Sequence, residues 1–150
     1  MGKNFILTGS DSETHHHIDK LTYAASEQVL TEAKFGSKYR FLQKDIADNE
    51  ALFGVFNEVK PRCVINFAAE THVDRSIRNP QSFIDTNIVG TARLLEAVRS
   101  YCTDLTMAER KRFRFVHIST DEVYGSLKPH EPAFTENSRF QPNSPYAASK

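Results

Sequence analysis

Apolar and polar positions follow two rhythms along the chain, and they alternate. Residues 4–8 are a short apolar run that ends at Gly9, which reads as a strand running into a turn. Residues 26–35 carry a modest helical rhythm, with Gly36 as the residue that closes it. Residues 39–43 read as the next strand. Asp48 or Asn49 then caps a helix to residue 59, with Leu52, Phe53, Phe56 and Val59 as its apolar stripe. The run 62–67 is apolar almost throughout, the pattern of a strand buried on both faces. Asn79 and Pro80 supply a cap and a first-turn proline for a helix reaching about Ser100, with Phe83, Asn87, Gly90, Leu94 and Val98 along one face. Asn87 is polar on that stripe, so it requires a buried partner, expected in the backbone of the loops beyond the strand ends. Residues 104–112 read as a charged, solvated connection and 113–118 as another buried strand. The stretch 128–145 holds four of the six prolines and no periodicity, which marks a long loop.

Strands that alternate with helices predict an α/β fold, a doubly wound parallel sheet. One connection does not fit a complete one. Only eight residues separate Gly9 from Ile18, and a parallel crossover needs about a dozen or more. The first crossover helix and most of the second strand are therefore expected to be missing, leaving the segment through His15, His16 and His17 as an irregular solvated junction. Three consecutive histidines do not amount to a metal site, because neighbouring residues rarely converge on one ion. The expected sheet is incomplete: strands near 4–8, 39–43, 62–67 and 113–118, flanked by helices near 48–59 and 80–100.

Composition narrows the partners. At 150 residues the chain is about one domain, and Lys plus Arg balance Asp plus Glu at 19 each. That balance gives no electrostatic footprint for nucleic acid or a membrane surface. No apolar run reaches the length of a membrane span and no secretory signal opens the chain. Cys63 and Cys102 suit a reduced, cytoplasmic protein better than a disulfide framework, with Cys63 as a buried filler.

The candidate chemistry lies after the run 113–118. There Ser119, Thr120, Asp121, Glu122, Val123, Tyr124 and Gly125 follow in order. Ligands of open α/β sheets bind beyond the carboxyl ends of the strands, so a hydroxyl and two carboxylates stand where chemistry takes place. Taken alone, three polar residues in a loop are more often turn formers. Further on, Ser144 and Pro145 can cap and open a helix that puts Tyr146 and Lys150 one turn apart on one face. An ammonium beside a phenol favours the phenolate, which makes the tyrosine a usable base.

With these two segments, and with Ile18 to Ala24, Ala68 to Ser76 and Thr86 to Thr91, the chain resembles the extended short-chain dehydrogenase/reductase group of nucleotide-sugar enzymes. Within it the likeness is to the dTDP-glucose 4,6-dehydratases, and the adjacent Asp121 and Glu122 are its most specific part. The resemblance implies an incomplete Rossmann-like sheet over residues 1–150, the truncated NAD-binding domain, with the substrate domain absent. It implies NAD as cofactor, dTDP-glucose as the nucleotide-sugar substrate and a homodimer as the family's usual assembly. Thr120, Asp121, Glu122, Tyr146 and Lys150 would be catalytic. Gly9, Asp19, Lys20, Leu21, Thr22, Asp45, Ile46, Phe67, Ala68, Ala69, Glu70, Thr71, Thr86, Tyr146 and Lys150 would contact the cofactor, and Thr71 and Thr120 the sugar. Asp19 would accept from the adenosine ribose hydroxyls, which favours NAD over NADP.

The family pattern also predicts a Gly-x-x-Gly-x-x-Gly loop for the pyrophosphate, and this chain lacks it. Asp11 and Glu13 put negative charge in its place. The expectation is a chain that binds NAD poorly and turns nothing over. Two rivals are a non-catalytic fragment or interaction remnant, favoured by the missing loop, and a related epimerase or dehydratase, disfavoured by the two acids.

Overall fold

The computed structural model describes residues 4–9, 14–21 and 38–150. The helix expected over 26–35, with Gly36, Thr22, Asp11 and Glu13, lies outside the described residues. Five strands form one sheet: β1 (Asn4–Thr8), β2 (His15–Asp19), β3 (Tyr39–Gln43), β4 (Cys63–Asn66) and β5 (Arg114–His117). Their order is β3-β2-β1-β4-β5, the order of the first five strands of a Rossmann sheet. Among the described helices are α1 (Asn49–Val59), α2 (Val73–Arg78), α3 (Gln81–Phe83), α4 (Thr91–Asp104), α5 (Met107–Arg112) and α6 (Pro145–Ala148). A π-helical turn, Ile84–Gly90, joins α3 to α4.

The sheet is not fully parallel. β2 runs parallel to β3 and β4 to β5, but β1 is antiparallel to both of its neighbours. The reason is the short connection. Gly9 N–H donates to the Thr14 carbonyl at 2.9 Å and closes a hairpin, and a hairpin can only return the chain antiparallel. The central strand keeps its place and reverses its direction. The histidines, expected as an irregular junction, form most of β2 instead, with Ile18 on the core side.

Helices α1 and α4 cover one face of the sheet. Leu7, Ile18 and Val64 meet Leu52, Phe56, Leu94 and Ala97 in a single core. Asp48 caps α1 by accepting from Ala51 N–H at 3.0 Å. The stripe of α1 uses Val55 rather than Phe53, since Leu52, Val55, Phe56 and Val59 follow the i, i+3, i+4, i+7 spacing and Phe53 turns outward. The run that forms β5 reads as a buried strand in sequence. It is the edge strand and alternates, with Val116 41% exposed and Phe115 packed on the core. β4 alternates too, and Cys63 is only half-buried. The segment expected as a charged connection contains α5, held by a Thr106–Glu109 capping box.

The long helical stretch begins at α3 with Pro80, not Asn79, at its cap, and it runs on to Asp104. Its face is as expected: Phe83, Asn87, Gly90, Leu94 and Val98 are all buried. The wider π turn brings the consecutive residues Thr86 and Asn87 inward together. At Gly90 a Cβ would stand 2.8 Å from Ile46 Cδ1, so the glycine lets the Ile46 side chain pack directly onto this helix.

Candidate active site

The site is built along the carboxyl edge of β2, β3, β4 and β5. Asp19 and Gln43 pair at that edge on one side of β1, and Asn66 and His117 pair on the other. Antiparallel β1 presents its amino end here, because Asn4 lies opposite Asp19 and Phe5 opposite Asn66. Gly9 is therefore at the opposite edge, beyond Thr8, which pairs with Cys63. The structure does not bring Gly9 to the other candidate residues. This corrects its assignment, and the cause is the hairpin.

On the β2–β3 side, Asp19 is buried and its Oδ1 accepts from Leu21 N–H at 2.7 Å, in a turn where Leu21 takes φ 54. Lys20 Nζ donates to Asp45 Oδ2 at 2.8 Å, and Asp45 Oδ1 accepts from Ala47 N–H at 2.9 Å. Ile46 is buried against Gly90. These side chains are gathered, and their hydrogen-bonding groups hold one another.

On the β4 side, Phe67 is exposed, Ala68, Ala69 and Glu70 are buried, and Thr71 is half-buried. Asn87 from the π turn fastens this loop. Its Oδ1 accepts from Glu70 N–H at 2.8 Å, and its Nδ2 donates to the Glu70 carbonyl at 3.0 Å and to Ser149 Oγ at 2.8 Å. Thr86 is buried beside it. The partner required by a polar residue on an apolar stripe is thus the loop backbone, together with the α6 end of the chain.

Beyond β5, Thr120 opens a 3-10 turn, Asp121–Tyr124, and its Oγ1 accepts from Glu122 N–H at 3.3 Å. Asp121 and Glu122 are exposed. Ser144 caps α6 through Ala147 N–H at 3.0 Å, and Tyr146 is buried edge-on to Phe83. Lys150 Nζ donates to the Ile118 carbonyl at 2.6 Å and Ser119 Oγ donates to the Lys150 carbonyl at 3.2 Å. Burial lowers the Lys150 pKa from the usual lysine value. So Thr120, Asp121, Glu122, Tyr146 and Lys150 stand around one strand end, with Ala69 to Thr71 tied to them through Asn87.

The long loop between the 3-10 turn and α6 is pinned where Tyr124 stacks on Phe140 and packs at a tilt against Phe134, and where Gln141 N–H donates to the Val123 carbonyl at 2.9 Å. Gly125 has φ 101, and a Cβ there would lie 2.7 Å from the Gln141 carbonyl oxygen. Gly125→Ala is expected to lower stability by about 1–3 kcal/mol, read as a shift of the urea midpoint. An unchanged midpoint would show that the loop yields freely.

Two buried side chains that the sequence pattern did not single out complete the frame. Asn66 and Ser149 have no free polar atoms to spare on the apolar side. Asn66 is fully buried with contacts to Ala68, Thr91 and His117, and Ser149 joins Asn87 to the Tyr146 carbonyl. A polar residue closing an apolar strand was the available signal for Asn66. Among the described residues there is no group of three or more His, Cys, Asp or Glu side chains able to hold a metal, and no helix long and apolar enough to cross a membrane.

The strand order and the edge site define a Rossmann-like α/β chain. A family profile described as GDP-mannose 4,6 dehydratase matches residues 5–150, and the chain belongs to that family. A dTDP-glucose 4,6-dehydratase of Haemophilus influenzae is 50% identical over 134 residues, 89% of this chain and 40% of the relative. The crystal structure of a dTDP-glucose 4,6-dehydratase from Streptomyces venezuelae, with NAD bound, superposes with a TM-score of 0.73 at 40% identity, covering 89% of this chain and 37% of that one. A Thermus thermophilus UDP-glucose 4-epimerase in complex with NAD gives a TM-score of 0.71 at 30% identity, covering 89% of this chain and 38% of that one. The chain spans about 40% of the length of the curated relative it matches.

Proposed function

We propose that this chain carries the acid–base half of a nucleotide-sugar 4,6-dehydratase acting on dTDP-glucose with NAD. The observation that carries the reading is the exposed Asp121 and Glu122 pair at the end of β5, beside Thr120 and the Tyr146–Lys150 segment. The dTDP-glucose 4,6-dehydratases among the relatives support the choice of substrate over that of the epimerases.

The described residues fit NAD in part. Small residues Ala68 and Ala69 after β4, with Thr86, Tyr146 and Lys150 near them, suit the nicotinamide end. The pyrophosphate end does not fit, because Gly9 is at the far edge. When bound, NAD supplies reversible hydride acceptance, oxidising the sugar at C4 and later reducing it at C6. The protein's own part is proton movement. Tyr146, aided by Lys150 and Thr120, takes the C4 hydroxyl proton. The C4 ketone acidifies the C5 proton, which Glu122 removes as general base. Asp121 donates a proton to the leaving C6 hydroxyl, so water is lost across C5 and C6. Adjacent carboxyls share this work when their surroundings set their pKa values apart.

In an intact relative carrying residues 119–125 and 146–150 of this chain, Glu122→Gln is expected to leave C4 oxidation in place. It should slow exchange of the C5 proton with solvent by about 10²–10⁴-fold. Exchange at the unaltered rate would remove Glu122 from the base role.

A further inference from the structure

A basic cavity of about 310 Å³ lies at the amino ends of β4 and β5, the opposite edge of the sheet from the candidate active site. Arg62 and Phe113 directly precede the two strands, and Arg114 N–H donates to the Arg62 carbonyl at 3.1 Å. The carboxyl ends of α1 and α4, with α5, close around the space. Its floor is apolar. Pro61 is buried, and the half-buried rings of Tyr101 and Phe113 meet edge-on at 61° with centroids 5.8 Å apart. The Tyr101 hydroxyl is tied into the floor, donating to the Pro61 carbonyl at 3.0 Å. The exposed rim has three cations, Lys60, Arg62 and Arg112, and one acid, Glu109.

Cations near a helix carboxyl end ordinarily serve its last carbonyls. For α4 that is done by Arg110, which donates from Nε and Nη2 to the Cys102 carbonyl at 2.9 and 2.5 Å. Arg114 likewise turns onto the Lys111 and Phe113 carbonyls, each at 2.8 Å. The rim cations are different. Among the described residues the Lys60 ammonium and the Arg62 guanidinium have no hydrogen bond or ion pair, and Arg112 has one bond, from Nε to the Ala108 carbonyl at 3.3 Å. Glu109 is committed to its capping box, accepting from Thr106 N–H at 2.9 Å and from Thr106 Oγ1 at 2.5 Å. Lys60 also stands at the left-handed cap of α1, with φ 47, where glycine is usual. A cation is present there despite a backbone cost of about 1–2 kcal/mol.

We propose that this cavity is a second binding site, for a small phosphate monoester with a flat apolar body: the ring rests on Tyr101 and Phe113, and Lys60, Arg62 and Arg112 hold the phosphate. Guanidinium forks match phosphate oxygens in pairs, and an ammonium adds a mobile point charge. Three cations against one acid leave the rim net positive, which suits a group bearing nearly two negative charges better than a single carboxylate. The volume is at the small end of the range for ligand sites, enough for one ring and its phosphate but not for a dinucleotide.

None of the residues around Asp121, Glu122, Tyr146 and Lys150 takes part, so the cavity is independent of the function proposed above and is measured without turnover. The experiment is a ¹H–¹⁵N NMR titration of the 150-residue chain with phenyl phosphate, inorganic phosphate and phenol at constant ionic strength. Phenyl phosphate is expected to saturate in the millimolar range, moving the amides of residues 60–62, 101–105 and 109–113 and leaving those of 68–71 and 119–122 in place. Inorganic phosphate and phenol should each bind about tenfold more weakly, the first without the ring contact and the second without the charged hydrogen bonds. Arg62→Gln and Arg112→Gln, both at exposed positions, should each weaken phenyl phosphate about tenfold. Glu109→Gln keeps the capping box and removes the one acid, so it should tighten binding about two- to fivefold. A merely structural role for these side chains would not move the affinity in opposite directions. Inorganic phosphate binding as tightly as phenyl phosphate, shifts centred outside the cavity, or no saturation at all would overturn the proposal.

Discussion

Titrating the 150-residue chain with NAD in a calorimeter is expected to give no saturable heat in the micromolar range, and the chain is expected to form no 4-keto product from dTDP-glucose. The cause is the direction of β1. In a Rossmann site the pyrophosphate is held by backbone N–H groups where the first strand turns into a helix, with the helix dipole behind them. Here that strand end, with Gly9, is at the far edge of the sheet and is closed by a hairpin. Hydrogen bonds to a charged group contribute about 1.5–3 kcal/mol each, so losing two or three of them weakens binding by roughly 10²-fold or more. Inserting a glycine loop and helix between Gly9 and Ile18 should restore a parallel β1 and NAD binding together. Micromolar binding by the unaltered chain would show that the edge of Asp19, Asp45 and Ala68 suffices without the glycine loop.

The second large effect is expected at Asn87. Asn87→Leu keeps the size and removes three buried hydrogen bonds, leaving the Glu70 N–H, the Glu70 carbonyl and Ser149 Oγ short of a partner. Buried groups left unsatisfied cost about 1–3 kcal/mol each. Ser149 keeps its bond to the Tyr146 carbonyl at 2.7 Å, so the total should be about 3–5 kcal/mol, a large share of a domain's net stability. Chemical denaturation reads the loss, and hydrogen exchange at the Glu70 amide should accelerate with it. A loss below about 1 kcal/mol would mean that water replaces the side chain. The same variant should loosen α6, since Asn87 is what joins the loop after β4 to Ser149.

Local signals were read well where one segment contains its own explanation. Asp48 caps α1 and Ser144 caps α6 because a side-chain oxygen needs only the N–H groups of the next turn. The stripe from Phe83 to Val98 was legible because a helix that packs on a sheet must bury one face. The buried partner of Asn87 followed from the cost of leaving an amide unpaired. Phe53 lies in an apolar cluster yet faces outward, and Val55, two residues on, takes its place in the stripe. At α5, charge suggested a connection, whereas the Thr106 and Glu109 capping box was already present as a short local pattern.

The short link after Gly9 was also legible as too short for a crossover, but its consequence was not. Missing residues suggested a missing strand, whereas the sheet retained five strands in Rossmann order by reversing one of them. By itself, the sequence determined the alternation of strands and helices, the caps, the apolar stripes and the identity of the chemical groups around Asp121, Glu122, Tyr146 and Lys150. Those depend on neighbours within a few residues. Only the tertiary structure decided the direction of β1, the edge to which Gly9 goes, the one-sided burial of β5 and the contacts that Asn66 makes with Ala68, Thr91 and His117. Each of these depends on which strand lies alongside which, and hydrogen bonds between strands can be completed in either direction until the length of the connection selects one.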